Sequence, residues 1–340
     1  MTNNYKKILK NKTILITGGT GSFGQTFAKK ILREFSVKKL IIFSRDEMKQ
    51  YEMKKKFKKM SLDKKIRFFV GDVRDYDRIK LALNEVDYIV HAAALKIVDT
   101  AEYNPIEFVK TNIYGAENII KASLETRVKK VIVLSTDKAV NPINLYGATK
   151  LVADKLFIAA NNLSGNFKTV FSVVKYGNVV GSRGSVIPFF KELIKSGSNF
   201  FPITDTQMTR FWITLDDGVS FVLKSLMMMQ GGEVFIPKMP SFKITDLAKG
   251  INQTIPHKIV GIRPGEKIHE ILCSSDEAHC TYEFKDYFKV LPTISFDNLN
   301  IQFYKKSVTR GGKLVKKYFE YSSLNNDKYL TVKQIANKTK

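Results

Sequence analysis

The chain has 340 residues, 44% of them hydrophobic, which is enough to bury the core of one large domain or of a domain and a smaller lobe. The longest apolar stretch, near VSFVLKSLMMM, is interrupted by Lys224 and is shorter than the ~20 residues of a membrane-spanning helix. The basic N-terminus lacks the apolar length of a signal peptide. We therefore expect a cytoplasmic protein with no membrane partner.

The formal charge of +24 raises the question of a nucleic-acid partner. The lysines are spread along the chain and dense only over 54–59, and no nucleic-acid-binding motif accompanies them, so this partner is disfavoured. A basic cleft would also suit a diphosphate substrate. Cys273 and Cys280 are too few for a disulfide framework, and together with His269 and His279 they match no common zinc spacing, so we expect no metal.

Strand and helix signals alternate from residue 13 onward. The apolar run TILIT leads into GGTGSFG, after which apolar residues recur at helical spacing. Further apolar strands follow at LIIFS, IRFFV, YIVH, VIVLST and FSVVKY, with helices predicted at 106–125 and 146–161 between the later ones. Continuous apolar strands separated by helices indicate a parallel sheet covered on both faces. The predicted fold class is α/β, a Rossmann-type doubly wound parallel sheet with a smaller C-terminal substrate lobe.

The domain limits follow from a change in pattern near Gly181, beyond which prolines divide the chain into shorter elements. We expect a dinucleotide-binding domain over 1–180, to which 211–238 return. The expected substrate lobe comprises 181–210 and 239–300, and 301–340 form a C-terminal extension.

The glycine turn is the first functional signal. Gly18, Gly21 and Gly24 are spaced G-x-x-G-x-x-G between a strand and a helix. This context lets a backbone approach a pyrophosphate at a helix N-terminus, and it predicts dinucleotide binding.

The residues after the second strand indicate which dinucleotide is bound. NAD-binding proteins place an acid ~20 residues beyond the glycines. Here Ser44 and Arg45 stand at that point, and a guanidinium favours a 2′-phosphate. Asp46 could still turn inward and accept a ribose hydroxyl. NADP is therefore favoured over NAD.

The stretch STDKAVNPINLYGATK combines two kinds of chemistry. Tyr146 and Lys150 form a Y-x-x-x-K pair that shares one helix face, which suits alcohol oxidation. Asp137 and Lys138 are an acid and a base for which a simple dehydrogenase has no step. Neighbours on a strand point to opposite faces, so both could serve only if the strand already turns here. The alternative is an exposed ion pair.

With these residues placed, the sequence resembles the extended short-chain dehydrogenase/reductases. Among these it is closely similar to the C5-inverting UDP-N-acetylglucosamine 4,6-dehydratases that begin pseudaminic acid synthesis. The similarity covers nearly the whole chain, in the motifs GGTGSFG, SRDEMKQ, GDVRD, HAAALK, EYNP, STDKA, NPINLYGATK, YGNVVGSRGSV, PITD, MTRFW, RPGEK and YSS. Three positions depart from the family pattern: Ile97 and Asp99 replace the first and last residues of H-V-P around Val98, and Gln207 replaces an arginine.

The resemblance implies a mechanism. Tyr146, its phenol acidified by Lys150 and by the nicotinamide, would remove the C4 hydroxyl proton during hydride transfer to NADP. Lys138 would take the C5 proton, and Asp137 would protonate the departing C6 hydroxyl. The hydride then returns to C6, and the cofactor ends as it began. The hydroxyl of Thr136 would lie beside substrate O4, or else make a strand-edge hydrogen bond.

The resemblance also implies binding residues. Those expected at the cofactor are Gly18, Thr20, Gly21, Ser22, Phe23, Gly24, Ser44, Arg45, Asp46, Lys49, Asp72, Val73, Ala92, Lys96, Tyr146 and Lys150. Those expected at the substrate are Lys96, Asn178, Val179, Arg183, Arg210, Arg263 and Glu266. Asn112 would bridge a helix to the active site, or else face solvent.

The implied activity is that of a lyase. It would convert UDP-N-acetylglucosamine to UDP-2-acetamido-2,6-dideoxy-β-L-arabino-hex-4-ulose, for glycosylation of flagellin or of the cell surface. The resemblance also implies a homo-oligomer based on a dimer, with a hexamer as the larger alternative. Alternatives are a C5-retaining dehydratase, which usually has Asp-Glu in place of Asp137-Lys138, a 4-epimerase, and a non-catalytic cofactor-bound structural protein.

Overall fold

A computed structural model describes residues 2–165, 169–181, 185–296 and 301–339. Arg183, expected at the substrate, lies outside these residues. No helix in the part of the chain described is long and apolar enough to cross a bilayer.

The main sheet contains ten strands of the described residues. In spatial order they are β15 (Lys313–Leu314), β13 (Thr281–Glu283), β14 (Tyr287–Val290), β9 (Val234–Pro237), β6 (Val170–Tyr176), β5 (Lys130–Thr136), β4 (Tyr88–His91), β1 (Thr13–Thr17), β2 (Lys39–Ser44) and β3 (Ile66–Val70). Strands β1 to β6 and β9 pair in parallel, in the order 3-2-1-4-5-6 of the Rossmann fold. The predicted fold class is confirmed.

The helices alternate with these strands. They are α1 (Thr2–Leu9), α2 (Ser22–Glu34), α3 (Glu47–Lys59), α4 (Tyr76–Ala82), α5 (Val98–Tyr103), α6 (Pro105–Phe108), α7 (Gly115–Glu125), α8 (Leu145–Leu163), α9 (Val186–Lys195), α10 (Leu215–Met228), α11 (Ile244–Ile251), α12 (Ile301–Thr309) and α13 (Val332–Thr339). A π-helical segment, Val109–Tyr114, joins α6 to α7. The helices predicted at 106–125 and 146–161 are therefore both present, the first with a wider turn in its middle.

Helix α2 shows why these elements pack as they do. Its buried residues Gly24, Phe27, Ala28 and Ile31 recur at a spacing of three or four, so one face lies on the sheet. Strand β1 is buried along its whole length, as expected of a strand covered on both sides.

Smaller sheets lie beyond the carboxyl ends of the parallel strands. They are formed by β7 (Phe201–Ile203) with β11 (His257–Ile259), β8 (Thr209–Phe211) with β10 (Ser241–Lys243), and β12 (Ile271–Cys273) with β16 (Tyr321–Ser322). A second apolar cluster lies here and includes Phe190, Phe201, Trp212, Leu247 and Ile335.

Among the described residues, the chain returns to the main sheet three times after Gly181: with β9, with β13 and β14, and with β15. Strand β9, within the 211–238 segment expected to return, pairs with β6. Strands β13, β14 and β15 extend the same sheet antiparallel, although they belong to the ranges expected for the lobe and the extension. They cover the free edge of β9, whose backbone groups would otherwise be unpaired. The limits of the domains stay a prediction.

Candidate active site

The expected catalytic pair, Asp137 and Lys138, lies where β5 ends. The strand stops at Thr136, and Asp137–Ala139 form one turn of 3₁₀ helix. The adjacent residues Asp137 and Lys138 therefore reach the same site, with Asp137 Oδ1 3.1 Å from Lys138 Nζ. Asp137 is 0% exposed and the Lys138 side chain 21%, so the pair is not an exposed surface ion pair.

Lys138 also contacts residues other than Asp137. Its Nζ lies 3.2 Å from Glu270 Oε1 and 3.3 Å from Asn178 Oδ1. Burial alone would lower the pKa of Lys138, but the carboxylates of Asp137 and Glu270 outweigh it and hold the pKa above its usual range. Burial raises the pKa of Asp137, which Lys138 offsets only in part. The resting state is therefore a charged lysine beside a carboxylate that protonates more readily than usual.

Helix α8 supplies the other catalytic residues. It begins where Asn144 accepts a hydrogen bond from the Gly147 amide at 2.7 Å, as an N-cap does. Burial raises the pKa of Tyr146 to about 12, although the Lys138 charge and a hydrogen bond with Thr136 act in the opposite direction. Lys150 Nζ donates to the Leu134 carbonyl at 2.9 Å. Its expected effect on the phenol stays a prediction.

Asn112 links the active-site helix to the loop after β4. It lies in the π-helical segment, is buried, and exchanges hydrogen bonds with the backbone of Leu95 at 2.9 and 3.0 Å. Its amide also donates to the Thr149 hydroxyl at 3.0 Å. The bridging alternative is therefore the one present, and the wide turn is a feature often found at functional sites.

The glycine turn fits a dinucleotide. Gly18 has φ +64°, and a Cβ there would lie 2.9 Å from the Ala92 carbonyl oxygen. A Cβ on Gly24 would lie 2.4 Å from the Gly19 carbonyl oxygen, so α2 can begin against the turn only with glycine at this position. Thr20, Gly21, Ser22 and Phe23 belong to the same turn and to the start of α2.

The other expected cofactor residues follow neighbouring strands. Ala92 and Lys96 come after β4, Asp72 and Val73 after β3, and Ser44 ends β2. These positions lie along the carboxyl edge of one parallel sheet, where such folds bind their ligands. The described residues are therefore consistent with a nicotinamide dinucleotide at this edge, and contact of each residue with it stays a prediction.

The segment after β2 distinguishes between the two nicotinamide dinucleotides. Asp46 caps α3, accepting from the Lys49 amide at 2.9 Å, and also pairs with the Lys49 ammonium. Ser44 Oγ accepts from Gln50 at 3.0 Å. The Arg45 side chain is more than half exposed, and its Nη1 lies 3.9 Å from the Asp72 carboxylate. The acid that could have turned inward is therefore used in the helix cap.

The expected substrate residues divide into two groups. Asn178 and Arg210 adjoin the catalytic pair, and Val179 pairs with Ile213 beside them. The turn containing Arg263 and Glu266 lies against the start of α8, because the Gly265 carbonyl accepts from Asn144 at 2.7 Å.

Direct contact of these residues with substrate stays a prediction. Arg210 donates its Nη groups to the carbonyls of Thr209, Lys267 and Ile268. Lys96 and Arg263 are exposed.

Two buried carboxylates and a half-buried lysine of the site are absent from the sequence-based set. Glu270 contacts Lys138, Lys267 Nζ donates to the Val140 carbonyl, and Asp154 accepts from the Ser135 hydroxyl at 2.6 Å. The four-residue spacing from Lys150 could have identified Asp154. Nothing in the local sequence places Glu270 beside Lys138, because the two meet only through the tertiary fold.

Comparison with known proteins identifies the family. The profile of the polysaccharide biosynthesis protein family matches residues 14–292. The chain belongs to this family. It is 55% identical to the UDP-N-acetylglucosamine 4,6-dehydratase (inverting) of Campylobacter jejuni strain 81-176, over 96% of this chain and 97% of the relative.

Two further relatives extend the comparison. The chain is 41% identical to a UDP-glucose 4-epimerase of Rickettsia bellii strain OSU 85-389, over 96% of this chain and 94% of the relative. Among solved structures, Pen from Bacillus thuringiensis matches with a TM-score of 0.86 and 36% identity, covering 97% of both chains. The similarity to this solved structure extends over nearly the whole fold.

Proposed function

We propose that this chain is a lyase that dehydrates UDP-N-acetylglucosamine at C4 and C6 with inversion at C5, using bound NADP. The product would be UDP-2-acetamido-2,6-dideoxy-β-L-arabino-hex-4-ulose. The observation that carries the proposal is the buried Asp137–Lys138 pair beside Tyr146, in a chain 55% identical to a relative of that activity. An epimerase needs no such acid and base for elimination.

The cofactor supplies the redox chemistry. When bound, NADP⁺ would take a hydride from C4 and return it at C6, so that it is not consumed. Tyr146 would accept the C4 hydroxyl proton, and the neighbouring Thr136 hydroxyl, which donates to Asp137 Oδ1 at 2.9 Å, would lie beside substrate O4. Burial raises the pKa of Tyr146 to about 12, and the positive charge of Lys138 opposes this rise, so Lys138 would help the phenol to act as a base.

Asp137 and Lys138 would carry out the elimination. Moving one proton from Lys138 to Asp137 leaves the net charge unchanged and gives a neutral amine and a carboxylic acid. Burial favours such a neutral pair over two desolvated ions. The amine then takes the C5 proton, the acid protonates the C6 hydroxyl, and water leaves, which restores the ion pair.

One oxygen of the expected acid has no hydrogen-bond partner in the described part of the chain. Asp137 Oδ2 is buried and accepts no hydrogen bond from the described residues. A Cβ on residue 177 would lie 3.1 Å from this oxygen and 2.7 Å from the Phe211 Cβ, so the chain packs closely here and leaves no room for a side chain on residue 177. A substrate hydroxyl that reached Oδ2 would satisfy the buried oxygen.

The proposal also includes a preference for NADP and a role in the cell. Because Asp46 is used in the cap of α3, Arg45 is the residue after β2 best placed to meet a 2′-phosphate, which supports NADP. The activity would be the first step of pseudaminic acid synthesis, for glycosylation of flagellin or the cell surface, as the resemblance of the sequence motifs implies. The protein would work in the cytoplasm as a homo-oligomer.

The test is the product. The purified protein is incubated with UDP-N-acetylglucosamine, and proton NMR is recorded. We expect a C6 methyl signal and ring couplings of the L-arabino configuration. A product of D-xylo configuration would refute the inversion, and a C4 epimer with an intact C6 hydroxyl would establish the epimerase instead.

A further inference from the structure

Glu270 is a buried carboxylate that contacts the catalytic lysine from a distant part of the chain. It immediately precedes β12 and is 1% exposed. Its Oε1 lies 3.2 Å from Lys138 Nζ and 3.7 Å from Arg210 Nε. Burying a charge is costly unless it is paired, so its presence here needs a reason.

The backbone and Arg210 fix the position of this carboxylate. The Glu270 amide donates to Ser323 Oγ at 2.9 Å, and the Ser323 amide donates to the Glu270 carbonyl at 2.7 Å. Arg210 is itself held by carbonyls, including those of Lys267 and Ile268, which orient its Nε toward Glu270. The C-terminal segment thus helps to hold Glu270 against Lys138.

The protonation state of Lys138 determines how many hydrogen bonds its nitrogen can donate to the neighbouring acceptors. Among the described residues, Asp137, Glu270 and Asn178 each place an acceptor oxygen 3.1–3.3 Å from Lys138 Nζ. An ammonium has three N–H donors, one for each acceptor. A neutral amine has two donors and one lone pair. To act as a base, Lys138 must therefore give up one of the three contacts.

The three acceptors differ in their ability to take a proton. Burial raises the pKa of Asp137, and the neighbouring Glu270 carboxylate adds to this effect. For Glu270, the charges of Lys138 and Arg210 outweigh burial and hold its pKa below the usual range. The amide oxygen of Asn178 does not titrate. Asp137 is thus the acceptor that takes the proton, while Glu270 and Asn178 keep their hydrogen bonds.

We propose that Glu270 is a positioning residue that, with Asn178, holds the two N–H groups of neutral Lys138 so that its lone pair is directed at C5 of the substrate. This inference rests on the proposed function. A carboxylate with a merely structural role would instead neutralise Lys138 and Arg210, and its charge would matter more than its location.

Two substitutions separate location from charge. Glu270→Gln keeps the side-chain length, and with it an acceptor oxygen near Lys138, but removes the charge. Glu270→Asp keeps the charge but shortens the side chain by one methylene, which moves the carboxylate away from Lys138. If location matters, Glu270→Asp lowers kcat roughly a hundredfold, since a displacement of ~1 Å costs about that much. Glu270→Gln then stays within about tenfold of the wild type. Glu283→Gln, at an exposed carboxylate paired with Lys238, serves as the control and should match the wild type.

The spectroscopic readout follows the two halves of the reaction separately. In Glu270→Asp, KM and the oxidation at C4 should be little changed while elimination slows, so the absorbance of reduced nicotinamide should build up in a single turnover. If Glu270→Asp is as active as Glu270→Gln or more so, or if oxidation and elimination slow together, the positioning role is wrong. If the wild type itself forms no keto sugar, the proposed function has failed independently of Glu270.

Discussion

Tyr146 and Lys138 serve different steps in the proposed mechanism, so their substitutions should stop the reaction at different points. Lys138→Gln keeps a hydrogen-bond donor toward Glu270 but removes the base. We expect the rate of product formation to fall by roughly 10²- to 10⁴-fold. Tyr146→Phe removes the acceptor for the C4 proton and leaves the acid–base pair in place.

The measurement is a single turnover with UDP-N-acetylglucosamine. Lys138→Gln should accumulate reduced nicotinamide without product, whereas Tyr146→Phe should show neither. If Lys138→Gln gives the wild-type yield of product, Lys138 is only a buried counter-ion of Asp137 and Glu270.

Arg45 is the residue on which the choice of NADP most depends. Its side chain extends from the end of β2 and lies 3.9 Å from Asp72, and a guanidinium can bind a phosphate by two hydrogen bonds. Arg45→Ala should weaken NADP binding roughly tenfold, or about 1.4 kcal/mol, with the affinity for NAD unchanged. Titration calorimetry with both nucleotides measures this. An equal loss for both would show that Arg45 does not contact the 2′-phosphate.

At the scale of secondary-structure elements, Asp87 joins three parallel strands at their amino ends. Its carboxylate accepts from the Thr13 amide at 3.0 Å and from Lys129 at 2.8 Å, just before β4 begins. Burial raises the pKa of Asp87, but these hydrogen bonds and the charges of Lys129 and Lys12 outweigh it and hold the pKa below its usual range. The ionised form is therefore bound more strongly in the folded state.

Asp87→Asn should reduce the free energy of unfolding by about 1 kcal/mol at pH 7, a figure that allows for partial solvent screening. Since the folded pKa is depressed, the stabilisation is present above the unfolded pKa of about 3.9 and is lost as pH falls through the folded pKa. Urea denaturation at pH 7, 5 and 3.5 should show the difference from the wild type shrinking only at the lowest pH. Asp327→Asn, at an exposed carboxylate, is the control. A difference that does not depend on pH would contradict the ionic explanation.

The strands of the main sheet differ in how well the sequence predicts them. The runs TILIT and KLIIFS each have a continuous apolar centre, ILI and LIIF, so burial on both faces and the parallel sheet followed directly. Strand β15 has only two residues, both exposed, and β13 has three, so neither carries a periodic signal. Strand β15 pairs with β13 and β13 with β14, so their place in the main sheet depends on the long-range pairing of β14 with β9.

The site shows the same limit. Asp137, Lys138 and Tyr146 lie within ten residues of sequence, and their approach follows from the local turn and the helix cap. Glu270 reaches Lys138 only because β12 pairs with β16 and Arg210 holds the preceding loop. Local patterns therefore predicted that Asp137 and Lys138 lie together beside Tyr146, but not that a third carboxylate lies opposite them, and the catalytic role of the pair stays a prediction.

At the scale of the whole molecule, one side of the fold carries large apolar side chains that remain exposed in the single chain. Tyr103, Ile106 and Tyr114 lie on or between α5 and α7, and Val152 lies on the adjoining α8. Ile106 is 59% exposed and Tyr103 86%. Clustered apolar side chains of this kind mark protein interfaces, which supports the proposed homo-oligomer.

The prediction is that a charge on this surface breaks the assembly. Burying a lysine ammonium in an apolar interface is unfavourable by several kcal/mol, so Ile106→Lys should convert an oligomer to single chains. Leu314→Lys, at a comparably exposed leucine on the edge strand β15, should leave the assembly unchanged. Light scattering after gel filtration measures both masses. A wild-type protein that is already a single chain, or an Ile106→Lys variant that keeps the wild-type mass, would show that these helices do not form the interface.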